Sequence, residues 1–167
     1  GGKMLCMMQG FIGGNGETDS LKKSIDDGVH AIYLQGNVSD DLLKTKKIDL
    51  IGKAVDYIRS QGVPAGVAAH QLGVVKACEE NKFAVDFYVK TLHTNDYWSA
   101  KRPEQKDDIV RNRADNFWCI DPKEVIEYMK GVPKPWIAYK VLAAGAIHPQ
   151  KAFVHAFNGG ADFIVAG

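Results

Sequence analysis

Apolar runs of strand length alternate with stretches of helical period along nearly the whole chain. The run from Lys3 to Phe11 predicts a first strand, followed by a loop at Gly13-Gly14-Asn15-Gly16 and a helix through Leu21 and Ile25 that stops at Gly28. Thr18 or Asp19 offers a short side-chain oxygen to cap that helix. His30 to Gln35 predicts the second strand. A long helical region is then expected from about Ser39 to Ser60, with Ile48, Ile51, Ala54, Val55 and Ile58 on one side and Gly62 at its end. Val63 to His70 predicts the third strand, Leu72 to Glu80 a short helix, and Phe83 to His93 the fourth strand.

The segment from Thr94 to Asn116 breaks this rhythm. It is polar, carries a charged cluster around Lys101 to Asp108 and includes Trp98. A connection of that length predicts a lid or binding loop, a lid-like insertion at 94–116. Phe117 to Ile120 is a brief apolar piece. Asp121-Pro122-Lys123-Glu124 then starts a helix, with an acceptor at the N-cap, proline in the first turn and an acid at N3. Val125, Ile126 and Met129 face inward on that helix and Gly131 closes it. Trp136 to Leu142 predicts the next strand. The turn Ala143-Ala144-Gly145-Ala146 leads to a helix from about Pro149, with Ala152, Phe153, Ala156 and Phe157 as its apolar stripe. Ala161 to Gly167 is the last predicted strand.

Six strands and five intervening helices follow from this reading. Uniform β-helix-β linkage demands parallel pairing and right-handed crossovers. Two α/β architectures satisfy it, part of an eight-stranded β/α barrel of TIM type or an open doubly wound sheet. The barrel is favoured, because polar residues recur where its strands end: Gln35, His70, Lys90 and His93. The expectation is one β/α-barrel domain or fragment over 1–167, with about six βα units present. Two further units near the N-terminus and a final helix would then lie outside this chain.

Composition narrows the function classes. A hydrophobic content of 46% over 167 residues can fill a core. Net charge is +1, and the 21 basic residues are dispersed; Lys44, Lys46 and Lys47 are the densest group and sit beside Asp40 and Asp41. That argues against a nucleic-acid partner. No apolar run approaches the roughly 20 residues that span a bilayer. Cys6, Cys78 and Cys119 are far apart without metal or disulfide spacing, so buried reduced thiols are expected. A reducing, cytoplasmic compartment follows, with export left open because the chain starts abruptly at Gly1-Gly2. Gly13-Gly14-Asn15-Gly16 lacks dinucleotide-fingerprint spacing, and no cofactor is expected. Missing strands would leave exposed edges, so a homo-oligomer is a possible assembly.

The chemistry-bearing lead is a pair of lysines, Lys90 and Lys140, each near the end of a short apolar run. A lysine in such a run is costly to bury as a cation and is rarely there for packing. By strand alternation Asp86, Tyr88 and Lys90 share one face, and Trp136, Ala138 and Lys140 share another. If both faces point into a barrel, one amine is driven toward the neutral form by the other's charge and can attack a ketone or aldehyde. His70 and His93, just past strand ends, are candidate proton carriers. Gln35, Thr91 and Trp98 are candidates for substrate contacts. Tyr97, Trp98, Phe117, Trp118 and Trp136 would either stack on a sugar or form a small core beneath the insertion.

Val89-Lys90-Thr91 resembles the Val-Lys-Thr motif on the sixth strand of deoxyribose-phosphate aldolases. Lys140 followed by Ala144-Gly145-Ala146-Ile147 resembles that family's seventh-strand lysine and glycine turn, and Gly160-Ala161-Asp162 through Gly167 is similar to its eighth-strand run. The resemblance covers about Phe83 to Gly167. It implies a class I aldolase-like lyase acting on a small carbonyl compound, sugar or sugar phosphate, with Lys90 forming the Schiff base and Lys140 as its electrostatic partner. It also implies phosphate held by backbone amides in the turns that carry Gly145 and Gly167. Three departures separate this chain from the family. Lys140 precedes its glycine turn by two more residues, which would sink it one strand step deeper. The connection between the two lysine strands is longer, and Ala146 stands where the family has a second glycine.

Two other classes remain. A metal-dependent sugar isomerase or epimerase would take zinc or manganese on His70 and His93 with Gln35 or Asp96. Such barrels lean on acidic residues at strand ends, and no glutamate stands at a predicted one, so no metal is assigned. The other is a barrel-derived ligand-binding protein without catalysis.

Overall fold

The computed structural model describes residues 4–102, 104 and 117–166. Six strands are present: β1 (Met7–Gly10), β2 (Ala31–Leu34), β3 (Ala65–Ala69), β4 (Phe87–Thr91), β5 (Trp136–Tyr139) and β6 (Phe163–Val165). Between them lie α1 (Asp19–Asp26), α2 (Gly36–Lys44), α3 (Asp49–Ser60), α4 (Leu72–Glu80), α5 (Pro122–Met129) and α6 (Pro149–Asn158). The strands form one sheet in the order β1-β2-β3-β4-β5-β6. The pairs β1/β2, β2/β3 and β5/β6 are parallel. A doubly wound sheet reverses its strand order at a switch point; here the order never reverses. The chain is an α/β protein of the parallel β/α-barrel class, with about six βα units. It divides into two compact units, Gly1–Ala69 with Gly73–Tyr88, and His70–Leu72 with Val89–Gly167.

In the first unit, burial follows the predicted period. Ile51, Ala54, Val55 and Ile58 form the buried stripe of α3, and every residue of β3 is buried. The long helix expected from Ser39 to Ser60 is two helices. α2 ends in a Schellman motif: Lys46 takes the left-handed conformation at φ 57°, its N–H reaches Leu43 O at 3.1 Å, and Lys47 N–H reaches Leu42 O at 2.8 Å. Glycine usually marks that position; a lysine there leaves no mark in the pattern. α4 ends the same way, on Lys82 at φ 54°. α1 does not use its predicted cap, since Thr18 stands at the N-cap position without a side-chain hydrogen bond.

One device recurs at the amino ends of the strands. The residue just before each even-numbered strand clamps the start of the strand before it. Asp86 N–H donates to Ala65 O at 2.8 Å, while its carboxylate accepts Ala65 N–H at 2.8 Å. Asp162 does the same to Trp136, at 2.9 and 2.8 Å. His30 repeats it on Cys6, accepting the amide through Nδ1 at 3.1 Å. Asp86 also pairs with Arg59. Asp86 therefore lies ahead of β4 rather than within a strand running from Phe83.

The first unit also contains a close approach that requires glycine. A Cβ on Gly66 would stand 2.3 Å from Phe87 Cε2, on a ring only 8% exposed. Gly66→Ala is expected to destabilise the protein by about 1–3 kcal/mol, read as a lower urea midpoint. Phe87→Leu in the same chain should recover part of the loss; a midpoint unchanged in the single variant contradicts the packing argument.

In the second unit, Ala138 of β5 and Ala152 and Ala156 of α6 are buried, whereas Phe157, expected in the α6 stripe, is 53% exposed. β5 stops at Tyr139, short of the expected Leu142, because Lys140 turns the backbone to φ 57°. Most of the 94–116 insertion, residues 103 and 105–116, and Gly167 lie outside the described residues. No helix among the described residues is long and apolar enough to cross a membrane.

Candidate functional site

The candidate chemistry lies in the second unit, where β4 and β5 end. Lys90 is the fourth residue of β4 and only 1% exposed. Its Nζ lies 2.7 Å from His70 O, 2.7 Å from Thr91 Oγ1 and 3.1 Å from Thr91 O. Thr91, also fully buried, has one hydroxyl proton and two carbonyls in reach, Trp118 O at 3.0 Å and His70 O at 3.2 Å. The Trp136 indole N–H reaches Lys90 O at 3.4 Å. The amine therefore sits in a cradle of three oxygens, one from His70 and two from the neighbouring Thr91.

Lys140 is not deeper in its strand, as the spacing suggested. It is the first residue past β5, partly exposed, with Nζ 3.6 Å from the centroid of the Trp118 ring. A cation over an indole face contributes roughly 0.5–2 kcal/mol. Trp118 thus connects to both lysines, indirectly to Lys90 through the Thr91 hydroxyl on its carbonyl and directly to Lys140 through its ring. Phe117, Trp118 and Trp136 are buried, as a small aromatic core would be, while Trp98 is 87% exposed. Trp118, grouped by the sequence reading with the other aromatics of this region, is also the residue that Thr91 bonds and Lys140 covers. That link to the lysines was not legible in the sequence.

The turn after β5 is strained. Lys140, Ala143 and Ala144 all have positive φ, at 57°, 46° and 53°, followed by Gly145 at 85°. Left-handed backbone costs a residue with a Cβ about 1–2 kcal/mol, and such outliers concentrate at functional sites. Gly145 is exposed within this turn, and its N–H is bonded to Leu142 O at 3.0 Å.

His93 has a fixed state. Its Nδ1 lies 2.9 Å from Thr94 O, and its Nε2 faces two donors, Trp118 N–H at 2.9 Å and Cys119 N–H at 3.0 Å. A carbonyl only accepts and an amide only donates, so the proton is on Nδ1 and Nε2 is the acceptor. Burial lowers its pKa to about 4, opposed by the Thr94 hydrogen bond and helped by the charges of Lys90 and His155. With both nitrogens hydrogen-bonded to backbone groups, neutral His93 links the end of β4 to the Trp118 segment. Tyr97 packs edge-on against its ring at 5.7 Å, and burial pushes the Tyr97 phenol up to about 12. His70, 5% exposed, packs on Tyr139 with centroids 5.5 Å apart.

Cys119 is buried, and burial pushes its thiol up; Cys78 is buried also, but Cys6 is exposed, contrary to expectation. Gln35, in the first unit, takes the N-cap position of α2 and bonds Gly10 O through its amide at 2.8 Å. Asp96 pairs with Lys151 at 3.0 Å. Among the described residues no group of three or more His, Cys, Asp and Glu is placed to hold a metal ion. No protein-family model matches the chain, and no curated protein matches it.

Proposed function

We propose that the chain is a class I aldolase-like lyase for a small carbonyl compound, a sugar or sugar phosphate, with Lys90 as the imine-forming amine. The observation that supports this most is a lysine with 1% exposure at the carboxyl end of a parallel strand, the end at which barrels carry their chemistry. Burial disfavours an ammonium, and a neutral amine attacks a carbonyl carbon. The carbinolamine loses water to give an iminium. That cation accepts the electron pair of the adjacent carbon–carbon bond as it breaks, and water later releases the amine. The cradle serves either protonation state: an ammonium donates to all three oxygens, whereas a neutral amine donates two protons and takes the Thr91 hydroxyl proton on its lone pair. A substrate carbon reaches Nζ by displacing one of these oxygens.

Lys140 is the second cation of this reading, held on the indole of Trp118. His70 keeps the role of proton carrier; a phosphate at the turn after β5, which the family resemblance implies, would have to displace hydrogen bonds that the Ala143, Gly145, Ala146 and Ile147 amides make within the turn. Reduction with borohydride in the presence of a panel of aldehydes, ketones and sugar phosphates is expected to add a fixed mass at Lys90, located by peptide mass spectrometry. A panel giving no adduct at that residue removes the proposal. The three-oxygen cradle would then be a purely structural use of the lysine, which favours a non-catalytic ligand-binding barrel.

In the metal-dependent isomerase reading His93 would have to give up a backbone partner to bind a metal, because both its nitrogens are engaged by backbone groups. Association of copies belongs to the proposal as well. Met7 on β1 and Phe163 and Val165 on β6 are exposed on the strands at either end of the sheet order, and edge strands pair with other chains.

A further inference from the structure

Besides its own carbon, the nitrogen of a lysine side chain has three bonding directions, and Lys90 Nζ has three oxygens within reach: His70 O and Thr91 Oγ1 at 2.7 Å and Thr91 O at 3.1 Å. A carbon can bond to this amine only where one of them gives way. Two are main-chain carbonyls, which move only with the backbone. Thr91 Oγ1 alone hangs on a rotatable side-chain bond.

That hydroxyl has a second partner at hand. Trp118 O lies 3.0 Å from Thr91 Oγ1. The Trp118 segment is itself tied down, because its N–H donates to His93 Nε2 at 2.9 Å and its ring carries Lys140. The single hydroxyl proton therefore has alternative uses. With Lys90 as an ammonium, Oγ1 accepts from Nζ and gives its proton to a carbonyl; with Lys90 neutral, it can cover the lone pair instead. A covered lone pair does not attack. Turning Oγ1 away gives up one hydrogen bond on the amine and keeps the carbonyl of Trp118 as a partner.

We infer that the Thr91 hydroxyl is a gate on the Lys90 amine: on Nζ it masks the lone pair, and turned to the Trp118 carbonyl it opens the direction along which a carbonyl carbon enters. The inference rests on the imine reading of Lys90 and adds how that nucleophile is held inert and released.

The test compares wild type with Thr91→Ala, Thr91→Val and Thr91→Ser, using propanal and borohydride. Alanine removes the hydroxyl and leaves its direction open, valine fills that direction with a methyl group, and serine keeps the hydroxyl. The initial rate of trapping at Lys90 is expected to rise about fivefold in Thr91→Ala, to fall in Thr91→Val and to stay within about twofold of wild type in Thr91→Ser. A Thr91 that only packs predicts slower trapping in the alanine and valine variants alike. The second readout is the Lys90 amine followed by ¹⁵N NMR through a pH titration. Its midpoint should drop by about one pH unit in Thr91→Ala and Thr91→Val, because the ammonium loses a charge-assisted acceptor, and should return in Thr91→Ser. His70, His93 and Cys119, the titratable neighbours of the amine, are the same in all four proteins. Should Thr91→Ala not fold, the midpoints of Thr91→Val and Thr91→Ser decide alone. No adduct in any of the four proteins removes the imine reading and the gate with it. An adduct in wild type with no faster trapping in Thr91→Ala, a serine variant that behaves like alanine, or a midpoint unmoved by valine removes the gate alone.

Discussion

Lys90→Met is expected to lose the borohydride-trapped adduct completely while the protein still unfolds cooperatively. Methionine keeps the length and the apolar stem of lysine and removes only the amine. The oxygens left behind are not all stranded. The Thr91 hydroxyl still has Trp118 O at 3.0 Å and His70 O at 3.2 Å to choose between, so at most two carbonyls lose a donor, about 1–3 kcal/mol each at full desolvation. Against that, the chain no longer buries an amine that water solvates strongly as an ammonium. The net change in stability is expected to be below about 3 kcal/mol, measured by urea unfolding. Lys140→Met, which removes the cation on Trp118, should slow trapping without abolishing it. An adduct that survives Lys90→Met, or that maps to another lysine, refutes the assignment of the nucleophile.

The largest stability effect is expected at His93. His93→Leu leaves Trp118 N–H, Cys119 N–H and Thr94 O without their partner in a site only 1% exposed. At about 1–3 kcal/mol for each stranded group, the loss should be about 3 kcal/mol or more, and the low-denaturant baseline should shorten visibly. The same geometry sets a pH dependence. The folded pKa of about 4 lies below the ordinary value of 6.5, so the unfolded chain binds the extra proton first. The contribution of His93 is complete above pH 6.5 and is lost as pH falls toward 4, about 3 kcal/mol in all. Below that, protonated Nε2 would point a donor at two amide donors. His93→Gln can accept one amide but does not titrate, so the difference in stability between wild type and His93→Gln should shrink from pH 7 to pH 4. A difference that stays constant across that interval excludes the neutral, backbone-bound histidine.

Some of these features were visible along the chain and some were not. The α5 entry was legible because Asp121, Pro122 and Glu124 state their geometry locally, and the Asp121 carboxylate accepts Glu124 N–H as the spacing requires. The end of α2 was not. Lys46 adopts a conformation that glycine usually signals, and only the hydrogen bonds of Lys46 and Lys47 back into α2 reveal it. The Asp86 and Asp162 clamps were equally hidden, since an aspartate before a strand is ordinary until its carboxylate is seen on the amide of the preceding strand. Lys90 could be singled out from its apolar neighbours; its cradle could not, because His70 O comes from a segment 20 residues away.

By itself the sequence determined the alternation of strand and helix, hence parallel pairing, and marked Lys90 and Lys140 as residues that packing alone does not explain. These are consequences of local period and of the cost of burying charge, which each short stretch carries within it. The tertiary structure decided which groups those residues meet: oxygens for one amine, an indole for the other, and a histidine locked neutral between a carbonyl and two amides. Some of these partners are sequence neighbours, but the His70 carbonyl and the Trp118 and Cys119 amides lie 20 or more residues from the side chains they meet. Only the closing of the βα turns brings them within hydrogen-bond reach, and nothing in the local pattern encodes that distance.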